Sequence, residues 1–351
     1  MTNQAAPQRA DFSPRAAVLL VQLGTPDTPE PADVRSYLRE FLSDPRVIEL
    51  PRALWLPILY GGVLTRRPKE SAEKYQKIWR EDGSPLSVFT RRQAEDLQDE
   101  LKKRGRLVEV AWAMRYGNPS LPQALRDLRD KGIQRLVVLP LYPQYSGSTT
   151  GSVFDAVARE FKTWRRVPNL RFVQDFHDDP GYIEALADSI RQRWRNEGGD
   201  RPEKLVFSFH GLPQRYVDGG DPYDEQCRRT AALVAESLGL NEAQWVISYQ
   251  SLFGKTEWIK PYTQPTVEAL ARQGVKTIDV ICPGFVSDCI ETLEEIDMEV
   301  HNAFMRAGGQ RFRFIDCLND SPLWIHALAD MVGNEVSGWG TREIDAARAR
   351  R

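Results

Sequence analysis

The feature that most constrains this chain is that it repeats itself. "AAVLLVQLGTP" (16–26) is an apolar strand ending in Gly-x-Pro, and "KLVFSFHGLP" (204–213) is a second, ending in Gly-Leu-Pro. Farther on, "VEVAWAMRYGNPSLPQALRDLRDKGIQRLVVLPLYPQYSGSTTGS" has a counterpart in "WVISYQSLFGKTEWIKPYTQPTVEALARQGVKTIDVICPGFVSDCIETLEE". In each, a strand ends in an aromatic-Gly step and a loop leads to a helix. A β-rich run then ends in Pro, and a polar loop opens another helix. Strands alternating with helices of this length build parallel βαβ units. Two copies predict an α/β chain of two similar doubly wound, Rossmann-like domains with parallel sheets, over 16–166 and 167–335. Residues 1–15 and 336–351 are expected to be flexible tails. At 351 residues the chain is long enough for two such cores. Ligand crevices in sheets of this kind lie beyond the carboxyl ends of the strands. Equivalent strand ends should therefore face a shared cleft.

Composition narrows the class. The net charge of −2 offers no field for nucleic acid. The four cysteines, Cys227, Cys282, Cys289 and Cys317, form no CxxC pair, which points to a reduced, cytoplasmic compartment. The leader "MTNQAAPQRADFSPR" has no apolar core and is not a secretory signal. The most apolar stretch, "LPRALWLPILYGGVL" (50–64), is interrupted by prolines, an arginine and Gly-Gly. It is too short to span a bilayer and is expected to be a loop with an amphipathic turn packed on the body, or an exposed apolar lip. No GxGxxG or GxxxxGK[ST] follows a strand, so nothing supports nucleotide binding.

Among four histidines, His210 alone ends an apolar strand. In the same half, "FVSDCIETLEEIDMEVHNAF" (285–304) starts a helix with Asp288 in its first turn. At about 100° per residue, Asp288, Glu291, Glu295 and Glu299 share an arc of roughly 80°. No lysine or arginine lies between 286 and 305. One reading is a solvated surface helix with an acidic bias. The other is a row of oxygen ligands or proton acceptors, with His210 as the nitrogen ligand that ferrous-type metals accept beside carboxylates. The equivalent ends of the first half carry "MRYG" (114–117) and "YPQYSGSTTGS" (142–152). The hydroxyl-rich loop entering a helix is most often structural; its other reading, with Arg115 and the aromatic faces, is a wall suited to a flat, anionic ligand.

These motifs resemble a known family. "FSFHGLPQRYVDGGDPY" is similar to the signature of ferrochelatases, which insert ferrous iron into protoporphyrin IX to form protohaem, the terminal step of haem biosynthesis. The resemblance continues through "VQLGTPDTPE", "RRPKE", "DGSPL", "MRYGNP", "YPQYSGSTTGS", "YQSLFGKTEWIKPY", "FVSDCIETLEE" and "CLNDSPLWI". It implies a chelatase-like pair of domains, with His210 and Glu291 as catalytic residues and metal ligands. Glu295 and Glu299 would lie on a metal or proton route. Leu23, Arg67, Tyr75, Ser84, Arg115, Tyr116, Ser148, Trp258 and Phe285 would contact the porphyrin. Animal members hold an iron–sulfur cluster through a cysteine in the YPQYS loop and three in a C-terminal tail. Here the loop has Gly147 and no such tail follows, so the resemblance is to the bacterial type, with Fe2+ as substrate, no cluster and no prosthetic group. Cys289 stands where the family often has histidine. Leu23 stands where the coproporphyrin-using branch tends to have tyrosine, which favours protoporphyrin IX.

The chemistry fits independently. Iron entering the ring displaces two pyrrole protons, so a base must face the ring, and histidine titrates nearest to working pH. The alternatives are a non-catalytic two-lobed carrier of haem or another tetrapyrrole, and a chelatase for another porphyrin or metal. The chain is expected to be a monomer or weak dimer. Leu38, Phe41 and Leu42, with Trp55, Leu56 and Ile58, are expected to form a partly exposed lip. That lip would grip the ring and touch a membrane surface peripherally.

Overall fold

The computed structural model describes residues 15–254 and 256–341. Two four-stranded parallel sheets carry the architecture. Strands β1 (Ala16–Thr25), β2 (Val108–Gly117), β3 (Arg135–Pro140) and β4 (Asn169–Phe172) lie in the order β2-β1-β3-β4. Strands β5 (Lys204–His210), β6 (Trp245–Gln250), β7 (Thr277–Ile281) and β8 (Arg311–Ile315) repeat it as β6-β5-β7-β8. All pairings are parallel. The repeat extends to the loops: Met114 N–H donates to Pro119 O at 2.7 Å after β2, and Tyr249 N–H to Pro261 O at 2.8 Å after β6. The expected boundary at residue 166 falls short, because β4 lies beyond it and pairs with β3.

The alternation of strand side chains decides the layering. Ala16, Val18 and Leu20 of β1 share one core with Leu205, Phe207 and Phe209 of β5. Helices Pro85–Lys103, Pro180–Asn196, Tyr223–Ser237 and Pro322–Glu335 supply the rest of it, packed around Phe176, Tyr182 and Trp324. The opposite faces differ: Ala17, Leu19 and Val21 pack with Leu125, Val153 and Val157, while Val206 packs with Val267, Ile296 and Phe304. One central core thus couples both sheets, so the two halves share an interior. Deep inside it, Asp279 on β7 accepts from Arg313 Nε at 2.7 Å and from Trp194 Nε1 at 2.8 Å.

Two expectations are corrected here. Residues 50–64 are not a loop: helix Arg52–Ile58 runs into a wide turn of π-helix at Leu59–Val63 and on into helix Leu64–Ile78. Pro51 stands at the N-cap, where its missing N–H costs nothing, and Pro57, inside the short helix, lies two residues before the widened turn. The expected C-terminal tail begins later than residue 336. Val336, Trp339 and Thr341 are buried, Arg171 lies over the Trp339 ring, and Thr341 O accepts from Leu107 N–H at 2.6 Å. The rest of both expected tails, 1–14 and 342–351, lies outside the described residues.

Candidate functional site

Both sheets present their carboxyl ends to a common set of helices between Pro31 and Ile78. Val34, Tyr37, Leu38, Leu42, Trp55, Leu59 and Tyr75 form a cluster with Tyr116 from the end of β2. Leu23 from the end of β1 and Phe253, Ile290 and Leu293 from the second half pack against it. The cluster joins the two halves. Leu38, Leu42 and Trp55 are buried in it and do not form an exposed lip. Phe41 and Leu56 are half-buried, and Phe41 is 5.1 Å from the Tyr116 ring. Within residues 50–64 the large apolar side chains that stay exposed are Leu50, Leu54, Ile58 and Tyr60.

On the first half's wall, one side chain absent from the sequence reading organises the rest. The Asp44 carboxylate accepts from Arg115 Nη2 at 2.5 Å, Ser152 Oγ at 2.6 Å and Tyr116 OH at 2.9 Å. Burial by itself would raise this carboxyl. Hydrogen bonds from Ser152 and the Arg46 N–H, with the Arg115 charge, outweigh it and hold Asp44 below the usual range. The Arg115 guanidinium in turn lies 4.4 Å from the Tyr116 ring centroid. Gly24 allows β1 to meet this pair: a Cβ there would stand 1.8 Å from Tyr116 O, and its φ of +123° is open only to glycine. Ser148 sits in a π turn, Gly147–Gly151, tied to Ser146. Asp221 of the second half pins that turn by accepting from Ser146 Oγ at 2.9 Å and Gly147 N–H at 2.8 Å.

The second half's wall is built around His210. Its Nδ1 is 2.7 Å from Gly211 O, an acceptor only, so Nδ1 donates there and in the neutral imidazole the lone pair falls on Nε2. The Phe285 ring is 6.4 Å from the imidazole. Trp258 closes in behind Gly211, where a Cβ would be 3.1 Å from its ring and 2.8 Å from Gln250 O. The other histidines serve elsewhere: His177 pairs with Asp175, His301 stacks on Phe312, and His326 faces Glu100.

Opposite His210 runs a π-helix, Glu291–Val300, in which His301 N–H reaches back five residues to Ile296 O. Glu291 opens it, and its carbonyl accepts from Gln250 Nε2 at 2.6 Å. The Glu295 carboxylate accepts from Ser251 N–H at 2.7 Å and Ser251 Oγ at 2.5 Å. Ser251 holds φ at +63°, a left-handed conformation costing a residue with a Cβ about 1–2 kcal/mol. That conformation aims both donors at one carboxylate. Burial raises the Glu295 carboxyl, and Glu291 repels it, while Ser251 and the nearby His210 pull the other way. Cys289 is buried and its thiol is pushed well up, by burial first and then by Glu291.

The expected four-carboxylate stripe is therefore revised. Asp288 precedes the helix and is buried, accepting from Asn319 Nδ2 at 2.6 Å and Thr292 Oγ1 at 3.0 Å. It caps a turn. Nor is the helix without cations, because from helix Leu64–Ile78 Lys74 reaches Glu299 of the stripe and, with Lys77, the neighbouring Glu294. A sequence window on the acidic helix could not reveal lysines more than 200 residues away. Among the described residues no three His, Cys, Asp or Glu side chains converge into a ready metal cage.

Of the remaining predicted contacts, Arg67 is half-buried with its guanidinium 4.5 Å from the Phe253 ring centroid, and burial lowers its pKa. Tyr75 is buried in the joining cluster. Ser84 is buried just ahead of helix Pro85–Lys103, and among the described residues no side-chain hydrogen bond ties it to this group. A cavity of about 320 Å³ beside Arg104, Arg106 and Asp330 shares no residue with the site.

Comparison with known proteins agrees with this geometry. The fold resembles that of SirB from Bacillus subtilis, solved with Fe3+ (TM-score 0.56, 12% identity, 92% of this chain and 96% of that one). It also resembles the sirohydrochlorin chelatase SirB from Bacillus subtilis subspecies spizizenii in complex with cobalt (TM-score 0.52, 10% identity, 93% and 99%). At that identity the likeness shows the fold alone. In sequence, the chain is 54% identical to a ferrochelatase of an Azoarcus species over 98% of this chain and 96% of that protein. It is 52% identical to that of Nitrosococcus oceani (97% and 92%) and 54% identical to that of Bordetella pertussis (93% and 90%). The ferrochelatase family model matches residues 15–336. With one wall of histidine and carboxylates facing another of aromatic and guanidinium groups, the chain belongs to the ferrochelatase family, whose reaction, iron insertion into protoporphyrin, is the last step of haem synthesis.

Proposed function

We propose that this chain is a lyase that inserts ferrous iron into protoporphyrin IX, with His210 and Glu291 at the reacting centre and no cluster or prosthetic group of its own. One observation supports the proposal: His210 stands at the carboxyl end of β5 with Nδ1 turned to Gly211 O, near enough to Glu295 of the π-helix for their charges to interact. Iron is the substrate, and its final ligands are the pyrrole nitrogens. The protein must therefore present the metal and remove two protons. Nε2 takes a pyrrole proton or holds the arriving metal, because one lone pair does either but not both at once. Glu291 takes the other share, and Glu295 continues the route away from the ring, with Glu299 at its outer end. Phe285 and Trp258 flank His210, while Leu23 and Tyr116 form the facing wall. Arg67, Tyr75, Ser84, Arg115 and Ser148 are assigned to the ring's carboxylate-bearing side. Arg115 acts there with its charge already shared with Asp44. A wall held this firmly can strain a planar ring and expose its nitrogens.

We assign the chain to the cytoplasm as a monomer or weak dimer, with Leu50, Leu54, Ile58 and Tyr60 making peripheral contact with a membrane surface. Among the described residues no helix is long and apolar enough to cross a membrane. The test is zinc or iron uptake into protoporphyrin, followed by fluorescence, with the purified chain and with His210→Ala. Porphyrin bound without metal insertion by the unaltered chain would make it a carrier instead.

A further inference from the structure

The acidic helix is wound as a π-helix over ten residues, far longer than the single-turn bulges in which this winding is mostly found. Something must hold it. Lys74 Nζ lies 2.8 Å from Glu294 Oε2 and 2.9 Å from Glu299 Oε1, so one ammonium bridges two carboxylates of the helix. Lys77 Nζ binds the other oxygen of Glu294 at 3.0 Å. Glu294 is buried, with 1% of its side chain exposed, and the lysines hold its carboxyl below the usual range against the opposing effect of burial.

The spacing is the informative part. Residues 294 and 299 are five apart. Around an α-helix such a pair stands about 140° apart and cannot share one ammonium from one side. In a helix closed by i→i+5 hydrogen bonds the same pair comes within about 50°. The Lys74 bridge is thus compatible with the wide winding and incompatible with the narrow one. Rewinding would carry one carboxylate away from Lys74, and because Glu294 is buried and cannot turn to water, Glu299 is the one lost. The same change of winding would rotate Glu295 relative to Glu291 and away from the two donors of Ser251.

We propose that Lys74 is a positioning residue: it staples Glu294 to Glu299 and so holds the π winding that keeps Glu291 and Glu295 facing His210. The proposal deepens the functional reading above and rests on it for the consequence, but not for the staple itself. The staple also crosses the molecule, since Lys74 belongs to the helices inserted after β1 and the glutamates to the far half.

The experiment compares Lys74→Met, Lys74→Arg and Lys77→Met. Each is solved crystallographically and assayed for zinc insertion into protoporphyrin. Lys74→Met should replace i→i+5 by i→i+4 hydrogen bonds within 291–300 and lower kcat about tenfold or more, with KM for porphyrin little changed. Lys74→Arg, which can bridge the same two carboxylates, should keep the winding and most of the turnover. Lys77→Met, which touches only Glu294, should keep the winding too. An unchanged π-helix in Lys74→Met overturns the staple, whatever the activity. A rewound helix with undiminished kcat overturns the positioning role. Full turnover in His210→Ala would instead sink the functional reading and leave the staple to the crystallographic result.

Discussion

The two halves share a strand order and a loop pattern, yet they put opposite chemistry at equivalent places. Where β1 ends, Gly24 lets the backbone press against Tyr116; where β5 ends, His210 offers an imidazole nitrogen. Where β2 ends, Arg115 and Tyr116 are locked on Asp44; where β6 ends, a strained Ser251 is locked on Glu295. In both halves a carboxylate, Asp44 in the first and Glu295 in the second, organises the strand ends. In the first it neutralises a cation and builds a rigid wall, whereas in the second it accepts only from the neutral donors of Ser251 and burial pushes its carboxyl up. The duplicated scaffold supplies symmetry of position. Function comes from breaking that symmetry of charge.

The sharpest way to break this comparison is at its reactive end. His210→Ala should abolish metal insertion while melting near the unaltered protein, because Nδ1 bonds only to its own neighbour Gly211. Turnover and thermal melting on the same preparation decide it, and more than a few per cent of activity would place the chemistry elsewhere. Next, Glu291→Gln should cost on the order of 10²–10⁴-fold, as for a lost acid–base group. Glu295→Gln should cost less and Glu299→Gln least, since Glu299 stands at the outer end of the helix and a glutamine there keeps an amide oxygen that can still accept from Lys74. Equal, negligible losses at all three would return the helix to a solvated face.

On the opposite wall the expected loss is of fold rather than chemistry. Asp44→Ala leaves Arg115 buried without its partner, a change that costs about 3–5 kcal/mol, and chemical denaturation should show it. The pH sign follows from the lowered Asp44 carboxyl. Its stabilisation is complete above the unfolded value of about 3.9 and is lost as pH falls through the lower folded value. The unaltered protein should therefore lose more stability on acidification than the Asp44→Ala variant does. A parallel loss in both would remove Asp44 from the account.

The smallest effect is expected at the rim. Phe41→Ala removes a half-buried ring from Tyr37 and Tyr116. It should weaken porphyrin binding roughly tenfold, as fits about 1.5–3 kcal/mol for one buried side chain, together with a measurable drop in stability. That drop is a revision, since an exposed lip would have left stability untouched. Leu54→Ser and Ile58→Ser, at exposed positions, should change stability by less than about 0.5 kcal/mol. They should reduce only sedimentation with anionic vesicles. A loss of porphyrin affinity in either variant would place the contact on the outer face after all.

The repeat, the parallel sheets and the strand-end position of His210 were all legible in the chain, because apolar periodicity and turn residues are local properties that survive folding. Arg115 was legible for a related reason: it lies in a strand-end motif whose meaning depends on few neighbours. Asp44 and Ser251 were not, since nothing in "FLSDP" or "YQSLF" distinguishes a structural carboxylate or a strained serine from an ordinary loop residue. Their roles exist only where separated segments meet. The same holds for Lys74, which reaches its glutamates across more than 200 residues. The boundary at 166 and the exposed lip also failed for a non-local reason. β4 is claimed by a partner strand, and Leu38, Leu42 and Trp55 by a cluster drawn from both halves. Sequence by itself determined which faces are apolar and which residue types stand at the strand ends, because both follow from spacing. Tertiary structure alone decided which charges are neutralised, which are left free and how the acidic helix is wound, because those depend on the energy of contacts between segments remote in sequence.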